Sequence, residues 1–338
     1  MDGEPKYSKK ISVIIMAYNR DTYLEDAIRS VINQTLDRKF FEVIVIKNFR
    51  SERIDKVIEK ENFCNIMVEK PTLAPEMLSI GVEHASNEII TFLEDDDLFY
   101  PDKLLRTISF FNDSKKEVVF HHNEAKIFYE SPTTERSVKF REKPKLGEVK
   151  FLTGPKFDYE VVFYDIGFNL SSMSLLKSEI RLNHFKTLLT NQDMFILFCA
   201  LISGKTLVLD NAILTKSRVH SGNVSVNLSP ERANNFNLKY AYTFYQISEM
   251  IKFEEPIVRI LKLYMVGPLI EYHIHRKEIN KIITHDIPSI IKIKLPYILA
   301  YDPTLLIGAF KNLSGMIVRK CFPGLANWLF FRVYSKRH

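Results

Sequence analysis

Cysteine is scarce in this chain: three residues in 338, Cys64, Cys199 and Cys321, each alone in apolar sequence. That spacing excludes a disulfide framework and a thiolate metal site, and a reducing compartment is the simplest inference. Glycine is also sparse, with 11 residues, and no Gly-rich basic loop follows the first apolar run. A nucleotidyltransferase, which needs such a loop around its phosphates, is thereby disfavoured. No window of about 18 to 20 residues is free of charge and proline, which argues against a spanning helix. The stretch Leu295–Val318 comes closest, and Pro296, Asp302, Pro303 and Lys311 interrupt it. The polar start, Met1 to Lys10, lacks a signal-peptide pattern, so the expected location is the cytoplasm. There is no low-complexity tract and no internal repeat.

The charge that is present is unevenly placed. The formal net charge is +6, yet from Ile251 onward 14 Lys and Arg stand against 6 Asp and Glu, which leaves the rest slightly acidic. Bulky Ile, Leu, Phe and Tyr residues separate those cations, a mixture suited to an anionic membrane surface rather than to nucleic acid. Ile287–Leu299 and Gly315–Arg337 suit either a peripheral contact with the inner face of the cell membrane or an ordinary helical subdomain.

Strand and helix patterns alternate through the first part of the chain. Ile11 to Met16 is nearly continuous apolar sequence, as in a strand buried on both faces of a parallel sheet. Leu24, Ala27, Ile28, Val31 and Ile32 then recur at helical spacing, with Asn19 or Asp21 placed to cap. Further strands are expected at Glu42–Ile46, Ile66–Val68, Ile89–Leu93 and Val118–His121, with helices between them. The polar, Lys-rich stretch from Tyr129 to Asp158 suits a mobile loop over a site. Strands at Val161–Tyr164, Leu170–Leu176 and near Leu207 and Ile213 follow, with a helix from Met194 to Ser203 that Gly204 stops. The fold class is α/β, a doubly wound, mostly parallel sheet. A helical, basic C-terminal region is expected over 228–338.

The most informative stretch runs from Glu88 to Lys103. A short apolar run meets four consecutive acids, Glu94, Asp95, Asp96 and Asp97, before Pro101 and Asp102 open a helix. Such a turn lies at the carboxyl end of a strand, where open parallel sheets bind ligands. Four adjacent carboxylates either take up protons or gather a cation, and all-oxygen ligands favour magnesium or manganese. Capping the next helix would need only one or two of these acids.

The ordered motifs resemble family 2 glycosyltransferases of the GT-A fold. They are Ile11 to Arg20, Ser30 to Thr35, Ile90 to Leu104, Gln192-Asp193 and Arg218-Val219-His220, together spanning about residues 8 to 227. The resemblance implies a nucleotide-binding half over about 8–122 and an acceptor half over about 123–227. It implies inverting, metal-dependent transfer, of hexosyl type, from a nucleotide sugar to a glycan or lipid-linked acceptor. Ala17, Tyr18 and Asn19 match the turn beside base and ribose, and Glu94 and Asp95 the ribose and diphosphate side of the acidic motif. Asp96 matches the ligand of a divalent cation, manganese or magnesium, and Asp97 supports it. Asp193 matches the catalytic base, while His220, as a metal ligand, and Arg218 match a loop that approaches the diphosphate or metal.

Several positions depart from that pattern. Where members commonly end the second strand with Asp and a Gly-Ser turn, this chain has Ile46-Lys47-Asn48-Phe49-Arg50. Lys47 cannot accept a hydrogen bond as a carboxylate does, which leaves two alternatives to the usual uracil contact, another base or a contact from Asn48. The segment Leu73 to Ser79 is altered, and Gln192 stands where Glu is frequent. The departure at Lys47 motivates the alternative of a catalytically degenerate protein that binds a nucleotide sugar or a protein partner. Thr190 and Asp193 also have capping-box spacing. His121 and His122 alternate on a strand and are read as structural.

Overall fold

The computed structural model describes residues 7–70, 72–131, 145–153, 167, 169–220 and 223, with positions 239, 242, 243, 246 and 247. The chain divides into two compact units, Met1–Pro230 and Glu231–His338. The elements named below all lie in the first. The strand expected at 161–164 and the basic region from Ile251 onward lie outside the described residues, as does much of the loop expected over 129–158.

Among the described residues nine strands form one sheet: β1 (Ile11–Ala17), β2 (Phe41–Lys47), β3 (Cys64–Met67), β4 (Ile89–Glu94), β5 (Leu98–Phe99), β6 (Val118–Tyr129), β7 (Lys150–Leu152), β8 (Met173–Leu176) and β9 (Thr206–Val219). Among the described residues the helices are α1 (Leu24–Ile32), α2 (Glu52–Lys60), α3 (Ala74–His84), α4 (Lys103–Phe111), α5 (Leu182–Phe185) and α6 (Gln192–Ile202). The strand order is β3-β2-β1-β4-β8-β6-β9-β5, with β7 also paired to β9. The pairs β3-β2, β2-β1, β1-β4 and β6-β9 are parallel; β8 is antiparallel to both of its neighbours.

Apolar sequence accounts for this arrangement. All seven residues of β1 are buried between β2 and β4, as a continuous apolar run requires. Leu24, Ala27, Ile28 and Val31 form the buried stripe of α1. In α6 every residue from Met194 to Leu201 is buried, so that helix is an internal one, and Gly204 follows it at φ +68°. The order reverses between β1 and β4, since β2 and β3 lie on one side and β8, β6 and β9 on the other. The carboxyl ends of β1 and β4 therefore flank the crevice where a doubly wound sheet takes its ligand.

Three local expectations are corrected. Neither Asn19 nor Asp21 caps α1: Tyr23 holds the N-cap position without a side-chain bond, and the Asp21 carboxylate instead accepts from Ser51 Oγ at 2.7 Å. The strands expected near Leu207 and Ile213 are one strand of 14 residues, because β9 stays paired with the 12-residue β6 across register shifts around Asn123 and Glu124. Thr190 does not cap α6, since Asn191 occupies the N-cap position in the left-handed conformation.

Candidate active site

The end of β1 supplies the first wall. Ala17 is buried and Tyr18 is 39% exposed. Asn19 turns the chain at φ +58°, which asparagine tolerates better than other non-glycine residues. Its backbone N–H donates to Asn48 Oδ1 and its side-chain oxygen accepts from Asn48 Nδ2, both at 2.7 Å. This reciprocal pair ties the β1 turn to the β2 turn. Lys47 is fully buried; its Nζ lies 2.9 Å from Asp55 Oδ1 and donates to the Phe49 carbonyl at 3.2 Å. The lysine that replaces the family Asp is thus held inside by α2.

The acidic turn closes on itself through Asp97 N–H to the Glu94 carbonyl at 3.2 Å. Asp95, Asp96 and Asp97 are buried and Glu94 is half-buried. Arg20 is the cation that answers them. Its Nε and Nη2 hold both oxygens of Asp95 at 2.8 and 2.9 Å, Nη2 reaches Asp96 Oδ2 at 2.5 Å, and Nη1 lies 3.2 Å from His220 Nε2. Asp96 Oδ2 also meets His220 Nε2 at 3.0 Å and accepts from Asn223 Nδ2 at 3.1 Å. Burial alone would raise the Asp96 carboxyl, but the His220 hydrogen bond and the Arg20 charge outweigh it and hold Asp96 below the usual range. Among the described residues Glu94 has no such partner. Burial and the repulsion of Asp96, Asp97 and Asp193 push it well above the ordinary value. Asp97 is pushed up to about 7, by burial and then by Asp96, against hydrogen bonds from Ser171, the Arg218 N–H and Ser217.

The end of β9 forms the opposite wall. The Arg218 backbone N–H donates to Asp97 Oδ1 and its Nε to the Asp96 carbonyl, both at 3.0 Å. Its guanidinium lies over the rings of Tyr23 and Phe128, 4.5 and 4.8 Å from their centroids. Tyr23 OH in turn donates to Glu130 Oε1 at 2.5 Å, and its ring touches His220 at 4.8 Å between centroids. Asp97 thereby joins the acidic turn to β9, rather than standing free to bind a ligand.

Asp193 lies in the first turn of α6, where the helix dipole favours a carboxylate, and its Oδ1 accepts from the Met194 N–H at 2.8 Å. Its charge is one of those that raise Glu94. Beneath the turn, Ser171 Oγ accepts from the Glu94 N–H at 3.1 Å, and the buried Lys103 donates to Asn123 and to the Ser172 carbonyl. Burial pushes Lys103 down to about 7, with the Asp210 charge opposing.

Arg20, Asn223, Tyr23 and Lys103 were not foreseen as site residues. Arg20 had a signal: it follows directly on the Asn19 turn, and any parallel sheet that sets β1 beside β4 brings that turn to the acids. Among the described residues no group of three or more His, Cys, Asp or Glu side chains is spaced to hold a metal ion. Asp96 and His220 nevertheless offer an oxygen and a nitrogen donor at one point, and a cation completed by diphosphate oxygens needs no more from the protein. The donor set fits such an ion provided Arg20 releases Asp96 and keeps Asp95.

The family model for glycosyl transferase family 2 matches residues 12–180, half of the chain. The chain belongs to that family. The matched span holds the acidic turn, and Asp193, Arg218 and His220 lie beyond it. An uncharacterised glycosyltransferase of Rickettsia bellii is 34% identical over 116 residues, 33% of this chain and 16% of the relative. One of Haemophilus influenzae is 23% identical over 236 residues, 68% of this chain and 87% of the relative. The chain spans less than a fifth of the length of the first Rickettsia relatives it matches. Among solved structures, S. aureus TarS 1-349 in complex with UDP-GlcNAc is similar with a TM-score of 0.58 at 13% identity, over 86% of this chain and 79% of that one. At that identity the likeness is one of fold, and it agrees with the GT-A expectation. No helix among the described residues is long and apolar enough to cross a membrane.

Proposed function

We propose that the chain transfers a hexosyl group from a nucleotide sugar to a hydroxyl of a glycan or lipid-linked acceptor, with inversion at the anomeric carbon. The observation that supports this reading is the meeting, at the carboxyl ends of β1 and β4, of the Asn19–Asn48 turn pair with the acidic turn that Arg20, Arg218 and His220 hold. The fold neighbour TarS, described in complex with UDP-GlcNAc, supports a nucleotide-sugar donor. Ala17, Tyr18, Asn19 and Asn48 would line the base and ribose, and Glu94 and Asp95 the ribose and diphosphate.

Asp96 and His220 would hold manganese or magnesium, which when bound neutralises charge on the departing diphosphate. Arg20 and Arg218 add fixed positive charge on the same side of the donor. Asp193 accepts the proton of the attacking hydroxyl, a task that needs a carboxylate within hydrogen-bond reach. One displacement without an enzyme nucleophile inverts the centre, by the geometry that separates inverting from retaining hydrolysis.

Thermal melts test the donor site. With manganese present, one nucleoside diphosphate of a panel should raise the melting temperature, as expected for about 2.7 kcal/mol of stabilisation at a hundredfold excess over Kd. In Asp96→Asn the manganese-dependent part of that shift should vanish, and transfer should fall about 10²–10³-fold, as for loss of one preorganised electrostatic contact. A full manganese-dependent shift in the variant would refute Asp96 as the ligand.

The basic segment after Pro288 is proposed to rest on an anionic membrane surface, on the strength of its composition. Deleting it should lower sedimentation with phosphatidylserine-containing liposomes, and unchanged binding would assign the segment a structural part only.

A further inference from the structure

Two asparagines beside the site share an unusual combination. Asn169 and Asn191 both have positive φ, +69° and +56°, and both are more than nine-tenths buried, at 6% and 7% exposure. Among the described residues the Asn169 Oδ1 and Nδ2 and the Asn191 Nδ2 have no hydrogen-bond partner. Asparagine is a tolerable residue in the left-handed region, so the backbone explains why an ordinary residue is avoided. It does not explain a buried amide left without partners, a condition rare enough in folded proteins to need its own cause.

Their positions supply that cause. Asn169 leads into the tight turn Leu170–Ser172, whose Ser171 Oγ accepts from the Glu94 N–H, and Asn169 itself accepts the Ser172 N–H on its carbonyl at 3.0 Å. Two residues earlier, Gly167 touches α6 so closely that a Cβ there would lie 2.2 Å from the Met194 sulfur. Met194 follows Asp193. The segment around Asn169 therefore bridges the acidic turn and the start of α6, and Asn191 is the N-cap residue of that same helix.

We propose that the side-chain amides of Asn169 and Asn191 read hydroxyl groups of the transferred sugar between the acidic turn and Asp193. This rests on the glycosyl-transfer reading above. A carboxamide offers a donor and an acceptor in one plane, and a hydroxyl both donates and accepts, so a sugar can satisfy groups that the protein leaves open. Neither asparagine takes part in proton transfer; they position the sugar and select it.

Glycine substitutions separate this role from a backbone one, because glycine keeps the positive φ and removes only the amide. Asn169→Gly and Asn191→Gly should melt no lower than the wild type. The probes are UDP, UDP-GlcNAc, GDP and GDP-mannose with manganese, measured by calorimetry. For the pair the wild type binds, each variant should hold the diphosphate unchanged and lose about tenfold in affinity for the nucleotide sugar, the worth of one hydrogen bond left unmade. An unchanged ratio of the two affinities, or an equal loss for both probes, overturns the assignment and leaves the parent reading standing. A wild type that binds none of the four probes overturns the parent reading and this one together.

Discussion

Asp193→Asn should lower kcat for sugar transfer by about 10²–10⁴-fold, the range a positioned general base supplies, with the KM for the nucleotide sugar little changed. The substitution is nearly isosteric. Asparagine Oδ1 can still accept the Met194 N–H that Asp193 Oδ1 accepts at 2.8 Å, so the start of α6 should persist and the melting temperature should move little. What asparagine cannot do is take the acceptor's proton. The loss should therefore fall on the chemical step, measured with saturating donor and acceptor. The charge change has a second consequence: Asp193 is among the groups that push Glu94 up, so its removal should lower the Glu94 titration seen by carboxyl-labelled NMR. Full turnover by the variant would take Asp193 out of the reaction, whatever its position.

The parts of the site that the sequence made legible are local ones. A run of four acids after a buried strand declares itself within ten residues, and so does the turn Ala17-Tyr18-Asn19 at the end of β1. Pairings between distant residues were not legible. Arg20 and Asp95 are 75 positions apart and meet only because β1 and β4 are neighbours in register. Lys47 was legible in part for a related reason. Its place in the motif marked a departure from the family pattern, but its full burial against Asp55 depends on α2 folding back over β2. The Asp21 cap failed because Ser51 competes for the same carboxylate, again across a turn that no local pattern reveals. The apolar elements were the easiest to place, since β1 and α6 are buried on all sides and carry no competing polar pattern.

A second large effect is expected away from the crevice, at Asp210. Its side chain is fully buried, and it is gripped by Arg106, with Nε to Oδ2 at 2.6 Å and Nη2 to Oδ1 at 2.8 Å, by His121 Nε2 at 3.1 Å and by the Ala212 N–H at 3.0 Å. Burial works against the charge on Asp210, but the hydrogen bonds from His121 and Arg106 outweigh it and hold the carboxyl well below its usual range. His121 is pushed down to about 4, first by burial, with the Asp210 bond opposing and the charges of Lys103 and Arg106 adding to the depression. It is therefore a neutral ring donating to a carboxylate. Asp210→Ala leaves that ring and a guanidinium without their acceptor, and should cost about 3–5 kcal/mol in denaturant unfolding, towards the low end because Arg106 is 38% exposed and water can partly replace the partner. The pH dependence has a definite sign. Between about 4 and 6.5 the unfolded chain protonates His121 and the folded chain does not, so this stability is present above 6.5 and about 3 kcal/mol of it drains away as pH falls to 4. Asp97, raised to about 7, acts oppositely over much of the same range, so the measurement must be a difference between wild type and His121→Gln at each pH. The difference should shift in favour of the variant by about 3 kcal/mol from pH 7 to pH 4. An Asp210→Ala variant within about 1 kcal/mol of the wild type would show that the Arg106 pair behaves as a solvated surface bridge.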